Sequence, residues 1–428
     1  MAKKRIAIVG AGVGGLALAA RLASRGFSVE VFEKLSRPGG RNNIIEDKGF
    51  KFDTGPSFVL MPDFFEEVFS YCGECLKDYL NLVPLDVSYK IFYADGDCLS
   101  VYRDSQKTKD ELERIEKEGS LAYDKLIKET SRIYKEVKPL LYKCFTSRAL
   151  LNPHYWGLIK KINALESYWN LAKRYFKSDK LCYAFTFEAM FIGVSPFDAP
   201  AFYSVITYAD HVQKIYHPIG GMYQIPLALE RLAKKFGAEF HYDSEIKEIK
   251  KSGNSVILGL EGKGLEFERV AVNADYAYTK STLLKRRIPG YDYSCSVYLI
   301  YLGLKKKFTG LAHHNLFFAK DLKNNLRQIF KEKTTPQDPS FYVHVPTLTD
   351  PTLAPAGKDI FYILIPVPNL DRTKENISER EEQLRKIVFD AISSKLGERI
   401  EPLIEAEHRF YPQDFITRYN IKYGATFG

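Results

Sequence analysis

The chain reads Gly10-Ala11-Gly12-Val13-Gly14-Gly15 close to its N-terminus, and this stretch decides the fold. An apolar run from Lys4 to Val9 precedes it and predicts a short buried strand, while the apolar spacing of Leu16 to Arg25 predicts an amphipathic helix after it. A second predicted strand, Ser28 to Phe32, ends at Glu33. A glycine-rich turn between strand and helix, with a carboxylate after the next strand, is typical of a dinucleotide-binding unit.

The glycines of this turn have separate physical roles. Gly10 permits the tight turn, Gly12 lets the backbone approach a pyrophosphate, and Gly15 lets the helix pack on the strand. The free N–H groups at the start of the helix favour phosphate. Glu33 is expected to accept hydrogen bonds from ribose hydroxyls, and its charge disfavours NADP, so NAD and FAD remain. The predicted cofactor-binding residues here are Gly10, Gly12, Val13, Gly14, Gly15, Glu33 and Lys34.

Two further motifs separate NAD from FAD. Arg37-Pro38-Gly39-Gly40-Arg41 follows Glu33 closely, and Asp53-Thr54-Gly55-Pro56-Ser57 comes next. An extended FAD needs close backbone and a cation at its second phosphate, whereas a nicotinamide enzyme needs no second glycine pair here. At these residues the chain resembles the glutathione-reductase-like FAD proteins, in particular the flavin amine oxidase and carotenoid desaturase superfamily. FAD is therefore the predicted cofactor, and the added binding residues are Gly39, Gly40, Arg41, Gly55, Pro56 and Ser57.

A second set of motifs narrows the family. In order and spacing the chain is similar to the bacterial-type phytoene and dehydrosqualene desaturases over essentially its whole length, at Phe191–Pro196, Tyr216–Met222 and Val272–Asp275. The resemblance implies that Ile246 lies where the family's backbone holds the adenine, and that Gly220 and Gly221 lie near the junction of the cofactor and substrate regions. It also implies desaturation of a long isoprenoid with hydride transfer to the flavin. The catalytic base stays unknown. Glu188, Asp210 and His211 are polar residues in apolar stretches and are the candidates for it, although a structural role is favoured for each.

The chain ends at Tyr423-Gly424-Ala425-Thr426-Phe427-Gly428, where the family normally continues. The resemblance implies that a final glycine-rich segment and helix, which close over the flavin, are missing. If so, FAD is expected to bind weakly and turnover to be absent.

Length and composition set the domain organisation. The 428 residues are 45% hydrophobic and 27% charged, enough for two or three domains. The predicted fold class is α/β, a glutathione-reductase-like FAD-binding Rossmann domain interleaved with a mixed-sheet substrate domain and a helical membrane-docking region. The predicted FAD domain comprises 1–85, 215–280 and 411–428; the substrate domain 86–107, 181–214 and 281–410; and the helical region 108–180. Within the helical region, 108–138 is predicted as a solvated surface helix.

A basic, aromatic segment, residues 143–180, carries most of the net charge of +9. Its tryptophans, Trp156 and Trp169, each follow a tyrosine, Tyr155 and Tyr168. Basic residues among interfacial aromatics are typical of an in-plane membrane helix, although an ordinary basic surface remains open and nucleic-acid binding is disfavoured. No apolar stretch reaches the length of a membrane span, so the chain is predicted to be cytoplasmic and peripheral on the inner face of the membrane. Its basic residues are Lys143, Arg148, Lys160, Lys161, Lys173, Arg174, Lys177 and Lys180.

The cysteines predict no metal site. Cys72 and Cys75 form one CxxC, without a second pair or a nearby histidine, and are expected on one face of a helix. Apolar runs of strand length elsewhere predict a sheet that walls a tunnel, at Tyr89–Tyr102 (a hairpin), Tyr293–Leu304, His314–Ala319, Ser340–Val345, Asp359–Pro366 and Glu405–Phe410.

Two other functions remain open. One is another enzyme of the superfamily: an amine or protoporphyrinogen oxidase, a carotenoid isomerase or a retinol saturase. The other is a non-catalytic prenyl-binding protein of the GDP-dissociation-inhibitor type. The intact Glu33, Gly39-Gly40-Arg41 and Asp53 argue against the second, because an escort that has lost its flavin has no need of a complete cofactor site.

Overall fold

The computed structural model of the chain describes residues 4–145, 152–371, 373, 375 and 377–427. Its strands are β1 (Arg5–Val9), β2 (Ser28–Phe32), β3 (Ile44–Asp47), β4 (Phe50–Asp53), β5 (Leu82–Pro84), β6 (Val87–Phe92), β7 (Cys98–Tyr102), β8 (Tyr216–Pro218), β9 (Glu239–His241), β10 (Glu248–Ser252), β11 (Ser255–Leu260), β12 (Lys263–Phe267), β13 (Arg269–Val272), β14 (Ser296–Leu304), β15 (His314–Phe317), β16 (Phe341–His344), β17 (Asp359–Val367) and β18 (Ile404–Phe410). Its α-helices are α1 (Val13–Ser24), α2 (Asp63–Tyr71), α3 (Ser105–Ile115), α4 (Gly119–Val137), α5 (Pro153–Lys161), α6 (Tyr168–Lys173), α7 (Asp179–Ala184), α8 (Val205–Tyr208), α9 (Gln224–Lys235), α10 (Tyr276–Tyr278), α11 (Leu322–Arg327), α12 (Glu381–Leu396) and α13 (Pro412–Tyr419).

The N-terminal strand lies inside a four-stranded parallel sheet of order β13-β1-β2-β9. Its apolar residues are buried on both faces, as a parallel sheet requires. Helix α1 starts directly after Gly12, earlier than the predicted Leu16, and packs on α9 through small side chains such as Ala19 and Ala20. A Cβ on Gly15 would lie 2.1 Å from the Gly10 carbonyl oxygen, so only glycine allows the helix to approach the strand this closely.

The larger sheet has seven strands in the order β18-β14-β17-β16-β15-β6-β7. It is mixed, because β15 runs parallel to β6 while its other neighbours pair antiparallel. Every residue of β14 is buried, since α12 and its apolar side chains cover one face and the other packs on β4. The predicted strands and the hairpin of residues 89–102 are confirmed, with ends that differ by a few residues. The assignment of chain segments to domains stays a prediction.

The charged stretch of residues 108–138 is not a single solvated helix. It belongs to two helices, α3 and α4, and one face of α4 is buried in an apolar core with Tyr123, Leu126 and Ile133. That expectation was therefore wrong, because the apolar residues between the charges recur at helical spacing and form an inward face. Among the described helices, none combines the length and apolar character needed to cross a bilayer.

The cysteine prediction also needs correction. Helix α2 ends at Tyr71, so Cys72 is its C-cap and Cys75 lies in the turn that follows. Gly73, with φ of 76°, takes the left-handed conformation between them. The two cysteines therefore do not share a helix face, and Cys72 is buried while Cys75 is exposed.

Candidate functional site

A cavity of about 920 Å³ lies at the carboxyl ends of the parallel strands. Most predicted cofactor residues line it, namely Gly10, Gly12, Val13, Gly14, Glu33, Lys34, Gly39, Gly40, Arg41, Pro56 and Ile246. Gly15 packs beneath the turn instead, and Gly55 and Ser57 line a neighbouring cavity. Residues from the first sixty positions, from residues 244–246 and from the C-terminal region thus meet around one space.

The two glycine turns lie side by side in the wall of this cavity. Gly12 and Gly39 pair as an isolated parallel bridge, and the Gly39 amide donates to the Ala11 carbonyl oxygen at 2.8 Å. Gly39 has φ of 113°, and a Cβ there would lie 2.1 Å from the Asn42 carbonyl oxygen. The backbone of both turns therefore stays open to a ligand that approaches closely, and a side chain at either position would close the cradle.

Glu33 is fixed by backbone donors at the end of β2. Its carboxylate accepts hydrogen bonds from the amides of Ala11, at 2.8 Å, and Leu35, at 2.9 Å. Burial raises the pKa of this carboxyl above its ordinary value, which the backbone N–H groups partly oppose. Each oxygen keeps capacity for a further hydrogen bond, so the side chain is positioned to accept from two vicinal hydroxyls.

The predicted cationic residues contact the C-terminal region. The Lys34 ammonium donates to the Thr417 carbonyl oxygen and to Asn420 Oδ1, both at 3.1 Å. The Arg41 guanidinium donates to the Thr426 carbonyl oxygen at 2.5 Å. These contacts bring α13 and the residues after it to the rim of the cavity.

Asp53 has a structural role that the sequence did not indicate. Its carboxylate accepts hydrogen bonds from the amides of Met222, at 2.7 Å, and Tyr223, at 2.9 Å, directly before α9. Burial raises its pKa to about 6. A Cβ on Gly221 would lie 2.7 Å from Asp53 Oδ2, which explains the glycine there. Asp53 therefore joins the β4 turn to the start of α9 and does not line the cofactor cavity.

A second cavity, of about 440 Å³, lies against one face of the seven-stranded sheet. Its wall is largely aromatic and aliphatic, and includes Phe58, Phe187, Met190, Phe191, Val297, Leu299, Leu316, Phe318, Tyr342, Leu364 and Phe427. Among the described residues that line it, none is acidic. Arg41 and Pro56 line both cavities, so the apolar space opens beside the glycine turns.

The candidate polar residues form a buried network behind this wall. Glu188 accepts hydrogen bonds from Tyr168 and Thr207, both at 2.7 Å, while the His211 ring contacts the hydroxyls of Tyr89 and Tyr123. Burial raises the pKa of Glu188 to about 7. Burial, and next the charge of Glu188, raise the pKa of Asp210 well above its ordinary value. The two carboxyl groups therefore share protons at neutral pH, and neither lines the apolar cavity.

Sequence reasoning missed Asn273. It belongs to a quoted motif but received no role, and in the structure its side chain lies over the glycine turn. A Cβ on Gly12 would lie 2.9 Å from Asn273 Oδ1 and one on Gly14 2.8 Å from Nδ2. A polar residue directly after β13 was the available signal, because parallel strands β1 and β13 end at the same edge.

These features fit an extended flavin dinucleotide. The glycine turns leave room for two phosphates, the start of α1 offers free N–H groups to them, and Glu33 suits a ribose. The apolar cavity begins where the far end of such a molecule would lie, at Arg41 and Pro56. The residues present therefore fit FAD.

Comparisons with known proteins agree with this geometry. The family described as flavin containing amine oxidoreductase matches residues 13–425. The chain is 38% identical to a zeta-carotene-forming phytoene desaturase of Myxococcus xanthus, over 99% of this chain and 84% of that protein. It is 35% identical to a 4,4'-diapophytoene desaturase (4,4'-diapolycopene-forming) of a Methylomonas species, over 99% of this chain and 85% of that protein. An oxidoreductase structure from Methanosarcina mazei aligns with a TM-score of 0.64 at 18% identity, over 95% of this chain and 88% of that one, and shows the same fold.

Proposed function

Because this chain belongs to the flavin containing amine oxidoreductases, and within them to the carotenoid desaturases, we propose that it desaturates a long isoprenoid hydrocarbon of the phytoene or diapophytoene class. FAD is its cofactor. The observation that carries the proposal is the meeting of the two cavities: one is built from glycine turns, the other from aromatic and aliphatic side chains, and they share Arg41 and Pro56.

The protein's own contribution is binding, orientation and the exclusion of water. When bound, the flavin supplies the hydride acceptor for breaking an unactivated C–H bond. Side chains of the sheet, among them Leu299, Leu316 and Leu364, offer a hydrocarbon apolar contact along one face. Burial of apolar surface contributes about 25 cal/mol per Å², so a long hydrocarbon gains affinity without any polar contact. A cationic amine would meet no carboxylate among the described lining residues, which disfavours amine oxidation.

The test uses the whole chain reconstituted with FAD. We expect oxidised-flavin absorption that bleaches when the protein is mixed without oxygen with liposomes containing phytoene or diapophytoene, together with products of longer conjugation in the extract. The ratio of the two bleaching rates identifies the preferred chain length. Flavin that is retained but does not bleach with either hydrocarbon would contradict the proposed substrate class while leaving the cofactor assignment intact.

We further propose that the chain takes this substrate from a membrane surface, through the described residues 141–145 and 152–165. Leu141, Tyr142 and Phe145 are exposed, and Trp156 and Leu165 are 67% and 93% exposed on one groove that also includes Lys160. An apolar face beside cations favours anionic bilayers. In this proposal the protein is peripheral, on the inner face of the membrane.

Part of the basic, aromatic segment predicted from the sequence is unsuited to membrane contact. Tyr168 is fully buried and Trp169 packs on Tyr183 and Phe197, so these two aromatics do not form an interfacial surface. Four of the cations, Lys161, Lys173, Arg174 and Lys180, form ion pairs with acidic side chains, although Lys161 stays largely exposed. Arg148 lies outside the described residues. The proposal therefore rests on α5 and the residues flanking it.

Vesicle binding tests the docking surface. Replacing Lys160 and Lys161 by Glu should release the protein from anionic vesicles, since each cation near such a surface contributes about 1 kcal/mol. The matched control changes Lys250 and Lys251 on the exposed strand β10 in the same way and should leave sedimentation with vesicles unaltered. Equal losses in both variants would show a general charge effect and contradict this docking surface.

A further inference from the structure

Half of the chain's eight histidines lie together in the interior. His217 belongs to β8, His313 and His314 stand at the start of β15, and His344 ends β16. All four are buried, and His217 is 0% exposed. His314 and His344 are direct partners in the sheet, so the cluster continues along the sheet face that walls the apolar cavity.

Three of these rings point at a common centre. One ring nitrogen each of His217, His313 and His344 lies within 4.8 Å of the others, and the Nε2 atoms of His313 and His344 are 2.9 Å apart. In a tetrahedral zinc site with bonds of about 2.0–2.1 Å, ligand nitrogens lie about 3.3 Å from one another. The rings of His313 and His344 would have to move apart slightly, and that of His217 to turn towards them, for a metal ion to bind between the three.

The ring of His217 is buried without a hydrogen bond to the described residues. Among the described residues, neither of its ring nitrogens has a hydrogen-bond partner, although both are buried. A buried polar group without a hydrogen-bond partner lowers the free energy of unfolding by about 1–3 kcal/mol. A bound ligand would remove this loss. The other two rings are already oriented: His313 Nδ1 contacts Thr349 Oγ1 at 2.7 Å, which directs Nε2 towards His344. Such an outer contact is usual behind a metal-binding histidine.

The local charge also favours a cation. Asp350 Oδ2 lies 3.7 Å from His217 Nε2 and accepts a hydrogen bond from the Gly220 amide at 2.5 Å. Asp53, the cap of α9, is the other buried carboxylate that acts on His217. In the part of the chain that the structure describes, no lysine or arginine forms an ion pair with either carboxylate. A divalent ion would balance these two charges.

We propose that His217, His313 and His344 bind one divalent transition-metal ion of the zinc type, with Asp350 beside His217 as a balancing charge. Imidazole nitrogens select such ions over magnesium and calcium, which prefer oxygen. The ion would join β8 to two strands of the seven-stranded sheet, so its role is structural. The sequence predicted no metal site because only its cysteines were spaced like ligands, whereas these ligands come from separate segments.

Metal binding by the intact FAD-loaded chain tests the site. After chelator treatment, equilibrium dialysis against zinc chloride followed by elemental analysis should give one zinc per chain. His217→Phe and His344→Phe should each weaken zinc binding by at least about 100-fold, because each removes a direct ligand. His314→Phe is the buried control and His408→Phe the surface control; both should keep one zinc. Wild-type protein that binds none, or ligand variants that bind like the wild type, would overturn the proposal.

A second measurement needs no substitution. Cobalt(II) added to the metal-free wild-type protein should give the intense visible absorption of a four-coordinate site, and zinc should abolish it by displacement. The weak spectrum of hexaaqua cobalt would overturn the site even if the phenylalanine variants fail to fold. Neither readout depends on substrate turnover, so the result is independent of the proposed desaturation.

Discussion

The two cavities that meet at Arg41 and Pro56 are built in opposite ways. One side of the cofactor cavity is made of backbone, from glycine turns that lie close together in sequence, while distant segments complete its rim. The apolar cavity is made of side chains from strands and helices that are more than a hundred residues apart, such as Phe187 and Leu364. Backbone sites depend on the absence of side chains, whereas side-chain sites tolerate exchange among apolar residues of similar volume. The two regions should therefore respond differently to substitution.

The largest effect is expected from a charge inside the apolar cavity. Leu364→Lys places an ammonium among aromatic and aliphatic side chains, where an unpaired charge is strongly disfavoured. We expect desaturation to fall by at least about 100-fold while FAD content stays at the wild-type level. Flavin absorption and product formation are measured on the same sample. Leu348→Lys, at an exposed position, is the control and should retain activity. Loss of flavin in Leu364→Lys would contradict the expectation that the two cavities respond independently to substitution.

The next effect concerns the network behind the wall of the apolar cavity. The pKa of Glu188 is raised to about 7 from its ordinary 4.5, so the protonated form favours folding. That contribution is fully present below pH 4.5 and is lost as pH rises through 7. Urea denaturation should show the free energy of unfolding falling by about 3 kcal/mol over this range. Glu188→Gln should make the decrease smaller, leaving the part that comes from the buried Asp210, and should keep turnover. A collapse of turnover would instead make Glu188 part of the chemistry.

A smaller effect is expected in the glycine cradle. Gly12→Val would place Cβ 2.9 Å from Asn273 Oδ1 and a branch towards the opposite turn. Overpacking of this kind costs about 1–3 kcal/mol, so FAD should bind about ten- to a hundredfold more weakly. Flavin content after gel filtration, and titration with FAD, measure the change. Gly290→Val, where a Cβ meets nothing within 4 Å, is the matched control. Normal FAD affinity in Gly12→Val would contradict the backbone-built site.

The smallest effect should come from removing one of the hydroxyl groups in the wall of the apolar cavity. Tyr342 donates to Ser57 Oγ at 2.9 Å and contacts His314 Nδ1 at 2.6 Å. Tyr342→Phe keeps the ring and should lower the free energy of unfolding by about 1 kcal/mol, with turnover almost unchanged. Tyr71→Phe, which alters an exposed hydroxyl, gives the reference change. A large loss of turnover in Tyr342→Phe alone would show that the apolar cavity depends on a polar group after all.

The same contrast explains what could be predicted from the sequence. The turn at Gly10–Gly15, Glu33 and the turn at Gly39–Gly40 could be assigned because each is a local pattern with a steric reason. The family, the FAD cofactor and the strands of the larger sheet also followed from motifs and apolar runs.

What could not be predicted depends on contacts between distant segments. Asp53 was cited as a sign of a complete cofactor site, yet its carboxylate accepts hydrogen bonds from amides directly before α9, about 170 residues later. Tyr168 follows the pattern of an interfacial aromatic, but the Glu188 carboxylate holds it inside. The histidine cluster was invisible for the same reason, since His217 and His344 are brought together only by the completed sheet.

The interleaving of the two sheets also has a consequence for synthesis on the ribosome. Strand β6 ends at Phe92, and its parallel partner β15 begins at His314. At a synthesis rate of about 5–20 residues per second, β15 emerges on the order of 10–45 s after β6. During that time the edge of β6 that later pairs with β15 stays unpaired. Strand β1 remains without its partner β13 for somewhat longer, because more residues separate these two strands. The nascent chain therefore spends much of its synthesis with two incomplete sheets, and its yield of folded protein should rise when a chaperone that covers strand edges is abundant.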